Sequence, residues 1–309
     1  FVNQLKKIFE LNNFNPLQTP SMEYLDLLEY NSREESNKLI YKILNSGDIY
    51  KKNENFSLKN ICEKGLRYDL TIPMMRFLSC NISKINFPFK RYQIENVWRA
   101  ERPQKGRYRE FLQCDVDIVG ERSYFCEFEL INIAYSFFNR FFEKEFNLYI
   151  NNVNFFKFGL KKINIEENFF EIFLIVDKLG KITLEEVILE LREKNFEEKV
   201  ITFIKEFADE NLQTNDDKII FLKRYFEKDL EVQEKISFLE KILDLTKSLI
   251  DNDFIKIDLL LARGLDYYTD IIFEIKPKDK SIGSVASGGR YENMLKRIFD
   301  LKVNNFDDT

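Results

Sequence analysis

An α+β fold, with an antiparallel sheet flanked by helices and interrupted by a helical insertion, is what this 309-residue sequence predicts. Three observations lead there. Two β-textured runs flank a Pro/Gly turn around residues 99–111, as in a long hairpin. Between about 170 and 250 the texture changes to charged, amphipathic and nearly glycine-free. Strand texture then returns in "FIKIDLLLARGLDYYTDIIFEIKP" and "SIGSVASGGRYENML".

Taken in order, "FVNQLKKIFELN" (1–12) carries apolar residues at helical spacing, and the Asn-rich "NNFNP" ends that helix. "LQTPSMEYLDLLEY" reads as a short extended piece followed by a helix, and 48–63 as a polar loop. "GLRYDLTIPMMRFLS" is an extended segment with Pro73 placed to open the next helix, because proline is tolerated in a first turn. "FPFKRYQIENVW" and "YREFLQCDVDIVG" are the two arms of the hairpin. "SYFCEFELINIAYSFFNRFF" is a long helix with a broad apolar face, and "FNLYIN" is a strand. "ITLEEVILELREKNFEEKVITFIKEFADENL" and "VQEKISFLEKILDLTKSLI" are amphipathic helices whose charge runs read as solvated faces. The domain boundaries expected from these textures are a core over 1–169, the helical insertion over 170–250, and the core continued over 251–309. No internal repeat is found.

Composition prunes the chemistry. A 44% hydrophobic fraction with 15% aromatics can fill a large core. The net charge of −5 gives no global attraction for nucleic acid, so phosphate binding must come from local clusters. There is no histidine, which excludes Ser-His-Asp and Cys-His catalysis and histidine-ligated metals. The cysteines (Cys62, Cys80, Cys114 and Cys126) lack CxxC spacing, which argues against zinc, and their unpaired use points to a reducing cytoplasm. No apolar run approaches the roughly 18 residues that suggest a membrane span.

Three constellations carry the remaining signal. "RAERPQKGRYREF" (99–111) places five cations and two carboxylates around Pro103 and Gly106. An exposed basic turn is one reading. The other is a phosphate-gripping hairpin, with Arg99 aimed by its strand and Arg102, Lys105 and Arg107 riding the turn, since guanidinium grips phosphate through paired hydrogen bonds. Glu101, held ionised among these cations, could accept from an exocyclic base amine. In "LLARGLDYYTDIIFE", Arg263 and Asp266 interrupt a run suited to burial; they form either a structural pair or a site in which Arg263 faces an anionic ligand. If the run is a strand, Tyr267 and Tyr268 face opposite sides. The paired glycines of "SGGRYE" (287–292) allow close backbone approach to a ligand, and they are also ordinary turn formers.

"GLRYDLT" (65–71), "FKRYQIENVWRAERPQKGRYREFLQCDVDIVG" (89–120), "LARGLDYYT" (261–269) and "GGRYENML" (288–295) together resemble the catalytic domain of the histidyl-tRNA synthetases, class II enzymes, in that family's order and over nearly the whole chain. "RAERPQKGRYREF" is similar to class II motif 2 and "ARGLDYYT" to the family's histidine-binding signature. "NFNPLQTPSMEYLDLL" is similar to motif 1, with Pro20 at its proline.

The resemblance implies histidine activation by ATP, followed by transfer to the 3′ end of tRNA(His), by a cytoplasmic homodimer that uses ATP with Mg²⁺. By the same resemblance, Arg99 binds the α-phosphate, Glu101 contacts adenine and Arg107 holds the triphosphate. Arg263 sits between the substrate carboxylate and the α-phosphate, with Arg99 as its catalytic companion. Histidine is bound by Asp69, Thr71 and Gln113 around the α-amino group. Asp117 and Tyr268 address the imidazole, and Tyr267 and Tyr291 belong to the same pocket. Arg102 and Gln104 face the tRNA acceptor end. No protein-held metal is implied.

The sequence departs from the family pattern at Leu112 ("FLQ" for "FHQ"), at Asp270 (after "YYT", where glycine is common) and at Ala286 and Ser287 ("ASGGRY" for "CGGGRY"). The charged and hydrogen-bonding positions are retained. The chain starts at Phe1 and stops at Thr309 without a closing element, and it reads as a segment cut at both ends. Motif 3 and the anticodon-binding domain are then expected beyond Thr309, and the segment alone is expected to bind ATP poorly. A synthetase-like regulatory subunit of ATP phosphoribosyltransferase, which binds histidine without charging tRNA, is the alternative, together with a synthetase-like sensor domain. The intact cations of motif 2 favour the enzyme.

Overall fold

A computed structural model describes residues 1–30, 39–47, 61–103, 106–142, 145–179, 182–251, 253–261, 268–279, 283–292 and 294. Contacts divide the chain into a first unit, residues 1–122 with 293–309, and a second, residues 123–292. The texture boundaries expected at 169/170 and 250/251 both fall inside the second unit.

The first unit begins with helix α1 (Val2–Leu11), whose Phe9 is buried. Strand β1 (Asn15–Pro16) follows, then β2 (Met22–Tyr24), α2 (Leu25–Tyr30), β3 (Lys42–Ile43) and β4 (Lys64–Leu66). Helix α3 spans Thr71–Asn81, with Pro73 in its first turn as the sequence predicts, and a 3₁₀ turn (Ile82–Lys84) extends it. Strands β5 (Phe89–Trp98) and β6 (Glu110–Val119) form the expected hairpin. Two three-stranded sheets result. In one, β1 runs parallel to β5, which pairs antiparallel with β6. In the other, β2 and β3 pair antiparallel with β4. Leu27, Leu28, Leu70, Ile72, Met74 and Leu78 fill the core of this unit.

Charge is buried here too. Arg76 on α3 grips Glu23 on β2 through both carboxylate oxygens, at 2.8 and 3.1 Å from Nε. Burial pushes the Glu23 carboxyl up despite that partner. Arg67, which follows β4, donates to the Thr19 carbonyl (2.7 Å), the Glu95 carboxylate (2.9 Å) and the Asn96 carbonyl (3.0 Å). It thereby ties the segment before β2 to the hairpin.

The second unit opens with α4 (Phe125–Phe142), β7 (Phe146–Asn152) and α5 (Val153–Lys162). Helix α5 starts where β7 ends, capped by Asn152, whose side-chain oxygen accepts from the Asn154 amide at 3.0 Å. Five more helices follow: α6 (Phe169–Val176), α7 (Leu184–Glu193), α8 (Glu198–Phe207), α9 (Asn215–Tyr225) and α10 (Leu230–Lys247). Strands β8 (Ile255–Ile257), β9 (Ile271–Pro277) and β10 (Ala286–Gly289) complete a four-stranded sheet of order β10-β9-β7-β8, antiparallel except for β7 with β8.

The helices of the expected insertion share one apolar core with this sheet. Phe173, Val187, Ile204, Leu222 and Leu239 belong to the same cluster as Leu148, Ile150 and Ile257. Their charged faces carry exposed ion pairs such as Arg192–Glu198 (2.9 Å) and Lys223–Glu240 (2.6 Å), as solvated faces should. No described helix is long and apolar enough to cross a membrane.

Candidate active site

The β5–β6 hairpin inverts the usual logic of a sheet. Side chains alternate across a strand, so Arg91, Gln93 and Glu95 share one face with their cross-strand partners Asp117, Asp115 and Gln113. This polar face is the inner one: Arg91 is 0% exposed and Gln93 1%. The opposite face carries Leu112, which is 52% exposed, and the exposed Cys114. Arg91, Gln93 and Asp117 are buried and Glu95, Gln113 and Asp115 half-buried; placing so many polar groups on an inner face is costly unless each is matched, so this pattern points to a site rather than a core.

The matching is close. Arg91 Nη2 lies 2.8 Å from Asp117 Oδ2, and the same guanidinium donates to Gln93 Oε1 (3.2 Å) and the Leu70 carbonyl (3.3 Å). Gln113 Nε2 donates to Asp115 Oδ1 at 2.9 Å. Arg99, just past β5, is fixed from three sides. Its Nε donates to the Tyr68 carbonyl (3.0 Å), Nη2 reaches Gln113 Oε1 (3.5 Å), and the guanidinium sits 5.1 Å from the centre of the Phe111 ring.

Asp69 and Thr71 sit where the chain enters α3. Thr71 is the buried first residue of that helix, and Asp69 Oδ1 accepts from the Ile72 amide at 3.2 Å. Burial pushes the Asp69 carboxyl up to about 6, against the opposing pull of the Ile72 amide, Arg99 and Arg91. Asp115 is likewise pushed up to about 6. Burial is the first cause and the neighbouring Asp117 and Asp69 add to it, while Arg91 and Gln113 oppose. Asp69, Arg99, Gln113 and Asp117 are therefore brought into one electrostatic neighbourhood. Arg91 and Asp115, which the sequence reading passed over, belong to it as well. The signal was available as the period-two polar runs R-Q-E and Q-D-D in the two strands.

The turn stands apart from this cluster. Gly106 takes a positive φ of 78°, which suits it to closing the turn. Arg107 Nη1 lies 3.4 Å from Glu101 Oε2, so the two residues expected to hold triphosphate and adenine pair with each other. Arg102 is exposed. Gln104, Arg263 and Tyr267 lie outside the described residues.

In the second unit, Tyr268 is half-buried and packs with Val153, Leu261 and Ile272. The paired glycines lie within β10 rather than after a strand, and side chains of this unit explain both. A Cβ on Gly288 would come within 2.5 Å of the Phe273 ring, and one on Gly289 within 2.6 Å of the Ile271 carbonyl and 2.8 Å of the Tyr268 ring. Arg290 next to them forms a two-point pair with Glu127 (2.7 and 2.8 Å), and Tyr291 follows it, half-buried. At Asp270, the departure from the family's glycine, the carboxylate accepts from Asn152 and pairs with Lys235 at 3.6 Å.

The family described as histidyl-tRNA synthetase matches residues 1–302. The histidine–tRNA ligase of Porphyromonas gingivalis is 40% identical over 307 residues, covering 96% of this chain and 67% of that protein. That of Cytophaga hutchinsonii is 42% identical over 307 residues, with the same coverage of 96% and 67%. The chain thus spans about two thirds of the length of the curated relatives it matches. Among solved structures, the histidyl-tRNA synthetase of Nostoc sp. PCC 7120 superimposes with a TM-score of 0.76 at 25% identity, over 99% of this chain and 71% of that one. A protein of Bacillus halodurans C, described as an ATP phosphoribosyltransferase regulatory subunit/histidyl-tRNA synthetase, shares the fold with a TM-score of 0.77 at 18% identity, over 98% and 77%. The chain belongs to the histidyl-tRNA synthetase family of aminoacyl-tRNA ligases.

Proposed function

We propose that this chain supplies the amino-acid and ATP-binding surface for histidine activation. The carboxylate of histidine attacks the α-phosphorus of ATP, the bond to the β-phosphate bridging oxygen breaks, and histidyl-adenylate forms as pyrophosphate leaves. The histidyl group then passes to the 3′ end of tRNA(His). A carboxylate is already ionised at pH 7, so the step needs no general base, in keeping with a chain that has no histidine. The protein's work is positioning and charge stabilisation.

The observation that carries this reading is Arg99, held by the Tyr68 carbonyl, Gln113 and the Phe111 ring. A guanidinium fixed in that way is preorganised for phosphate, and we assign it to the α-phosphate. Arg263 is its proposed partner there. Glu101 and Arg107 separate to take adenine and the triphosphate, and Arg102 and Gln104 meet the acceptor end of tRNA. Asp69, Thr71 and Gln113 take the α-ammonium of histidine. Asp117, Tyr268, Tyr267 and Tyr291 surround the imidazole, and a buried carboxylate there rejects apolar isosteres that would leave it unmatched. Mg²⁺ accompanying ATP would be ligated chiefly by phosphate oxygens and water. A homodimer in the cytoplasm completes the proposal.

Histidine-dependent ATP–pyrophosphate exchange by the full-length protein is the test. Exchange by the unmodified protein, reduced about 100-fold or more in Arg99→Ala and in Arg263→Ala, is expected. Histidine binding without any exchange would instead mark a regulatory relative and overturn the enzyme reading.

A further inference from the structure

Asp115 is given no part in the proposed chemistry, yet it stands at the centre of the polar face. The groups around it can be taken element by element. From its own strand come Gln113, which donates to it at 2.9 Å, and Asp117. From β5 comes Arg91, already 2.8 Å from Asp117, and Gln93 is its cross-strand partner. From the segment entering α3 comes Asp69, whose charge raises Asp115 further, and Arg99 in turn acts on Asp69. Glu95, next along the same face, is paired off by Arg67 at 2.9 Å.

The charges of this group do not cancel. Asp69, Asp115 and Asp117 stand against Arg91 and Arg99, which leaves one carboxylate in excess within a largely buried setting. An uncompensated buried charge is costly, and a site relieves it by taking up a proton or a cation. Both routes are open here. A proton can stay on Asp69 or Asp115, the two carboxyls with raised affinity for it. An α-ammonium entering beside Asp69 can supply the same single positive charge.

Resting on the histidine-binding reading above, we propose that Asp115 is a further recognition group of the amino-acid pocket, sharing one proton with Asp69 when the pocket is empty and losing that proton to solvent when a substrate ammonium takes its place. The exchange balances: the pocket carries one compensating positive charge before and after, and one proton is released per ammonium bound. Arg91, 2.8 Å from Asp117, is then the fixed counter-ion of that carboxylate.

Calorimetric titration at pH 5.5, in buffers of different ionisation enthalpy, counts that proton on the full-length protein. Histidine is compared with 3-(imidazol-4-yl)propionate, which keeps the imidazole and carboxylate but lacks the ammonium. Histidine should release close to one proton more than the propionate, and the difference should vanish by pH 8. Asp115→Asn should bind histidine at least ten-fold more weakly at pH 8, with a much smaller deficit at pH 5.5, and should lose most of the extra proton release. Asp115→Glu, which keeps the charge, should retain it. Equal proton release by the two ligands on the unmodified protein overturns the inference, whether or not the variants fold, and leaves the histidine-binding reading intact. Failure of histidine to bind the unmodified protein overturns that reading itself.

Discussion

In the first unit, Arg67, Arg76, Arg91, Glu23 and Asp117 are all buried, whereas in the second the same depth is held by Phe155, Phe156, Phe203, Leu148 and Ile150. Among the described residues, the charges buried in the second unit are Glu127 and Glu274. The second unit is mainly helical and the first draws about equally on helix and strand, and their interiors differ as well. Packing hydrocarbon against hydrocarbon stabilises a fold without fixing any charge in space. Burying guanidinium against carboxylate is at best neutral for stability, but it sets charged groups at defined positions. The first unit is built to hold a polar face, and the second to be solid.

That contrast can be broken most directly at Arg76. Arg76→Met leaves Glu23 buried without its partner and should cost about 3–5 kcal/mol in denaturant unfolding, while adding Glu23→Met should recover most of the loss. A single-variant cost below about 1 kcal/mol would mean that the ion pair does not matter to this unit. In the second unit the comparable insult is steric. A Cβ on Gly159 of α5 would come within 2.2 Å of the Phe203 ring, so Gly159→Ala should cost about 1–3 kcal/mol. Combining it with Phe203→Leu should give less than the sum of the two separate losses, and simple additivity would count against tight packing there.

The contrast sharpens at Asp115. Its carboxyl holds a proton to higher pH in the folded chain than in the unfolded one, so its ionisation weakens the fold as pH rises from about 4 to about 6. An amide never ionises. Asp115→Asn should therefore raise stability by on the order of 1–2 kcal/mol at pH 8, with the gain fading towards pH 5, even as histidine binding suffers. A Tm difference that does not change with pH would contradict this. The smallest effect is expected at Thr183, which caps α7 in a reciprocal arrangement with Glu186. Thr183→Ala should cost about 1 kcal/mol, seen as faster hydrogen exchange confined to the first turn of α7.

Much of this was legible in the residues. The long hairpin, the helix opened near Pro73 and the amphipathic helices after 169 follow from period and turn chemistry. Helix α5 was not read, because "NNVNFFKFGLKK" passes from strand to helix with no turn residue and only Asn152 as the cap. The shared apolar core of the helical stretch and the sheet was not legible from its charged texture: exposed faces dominate composition, while membership of a core is decided by the few apolar positions on the hidden face. Within one hairpin, which residues share a face follows from strand alternation. Arg91 and Asp115 escaped because a buried polar ladder is, residue by residue, indistinguishable from an exposed strand. The glycines of β10 leave two readings open in the sequence, close approach to a ligand or a turn, and the packing of two aromatic rings and a carbonyl against them, all distant in sequence, is visible only in the fold.

Arg290, described above for its pair with Glu127, also donates to the Ser123 carbonyl at 3.2 Å. Ser123 begins the second unit and Glu292 ends it, so the points where the chain enters and leaves this region are fastened together. An interruption whose ends already meet asks little of the host chain, because closing a long loop costs free energy only with the logarithm of its length. In terms of gene rearrangement, such a region is portable: its two ends are already held at one point, so a circular permutation at that junction would leave its own core intact.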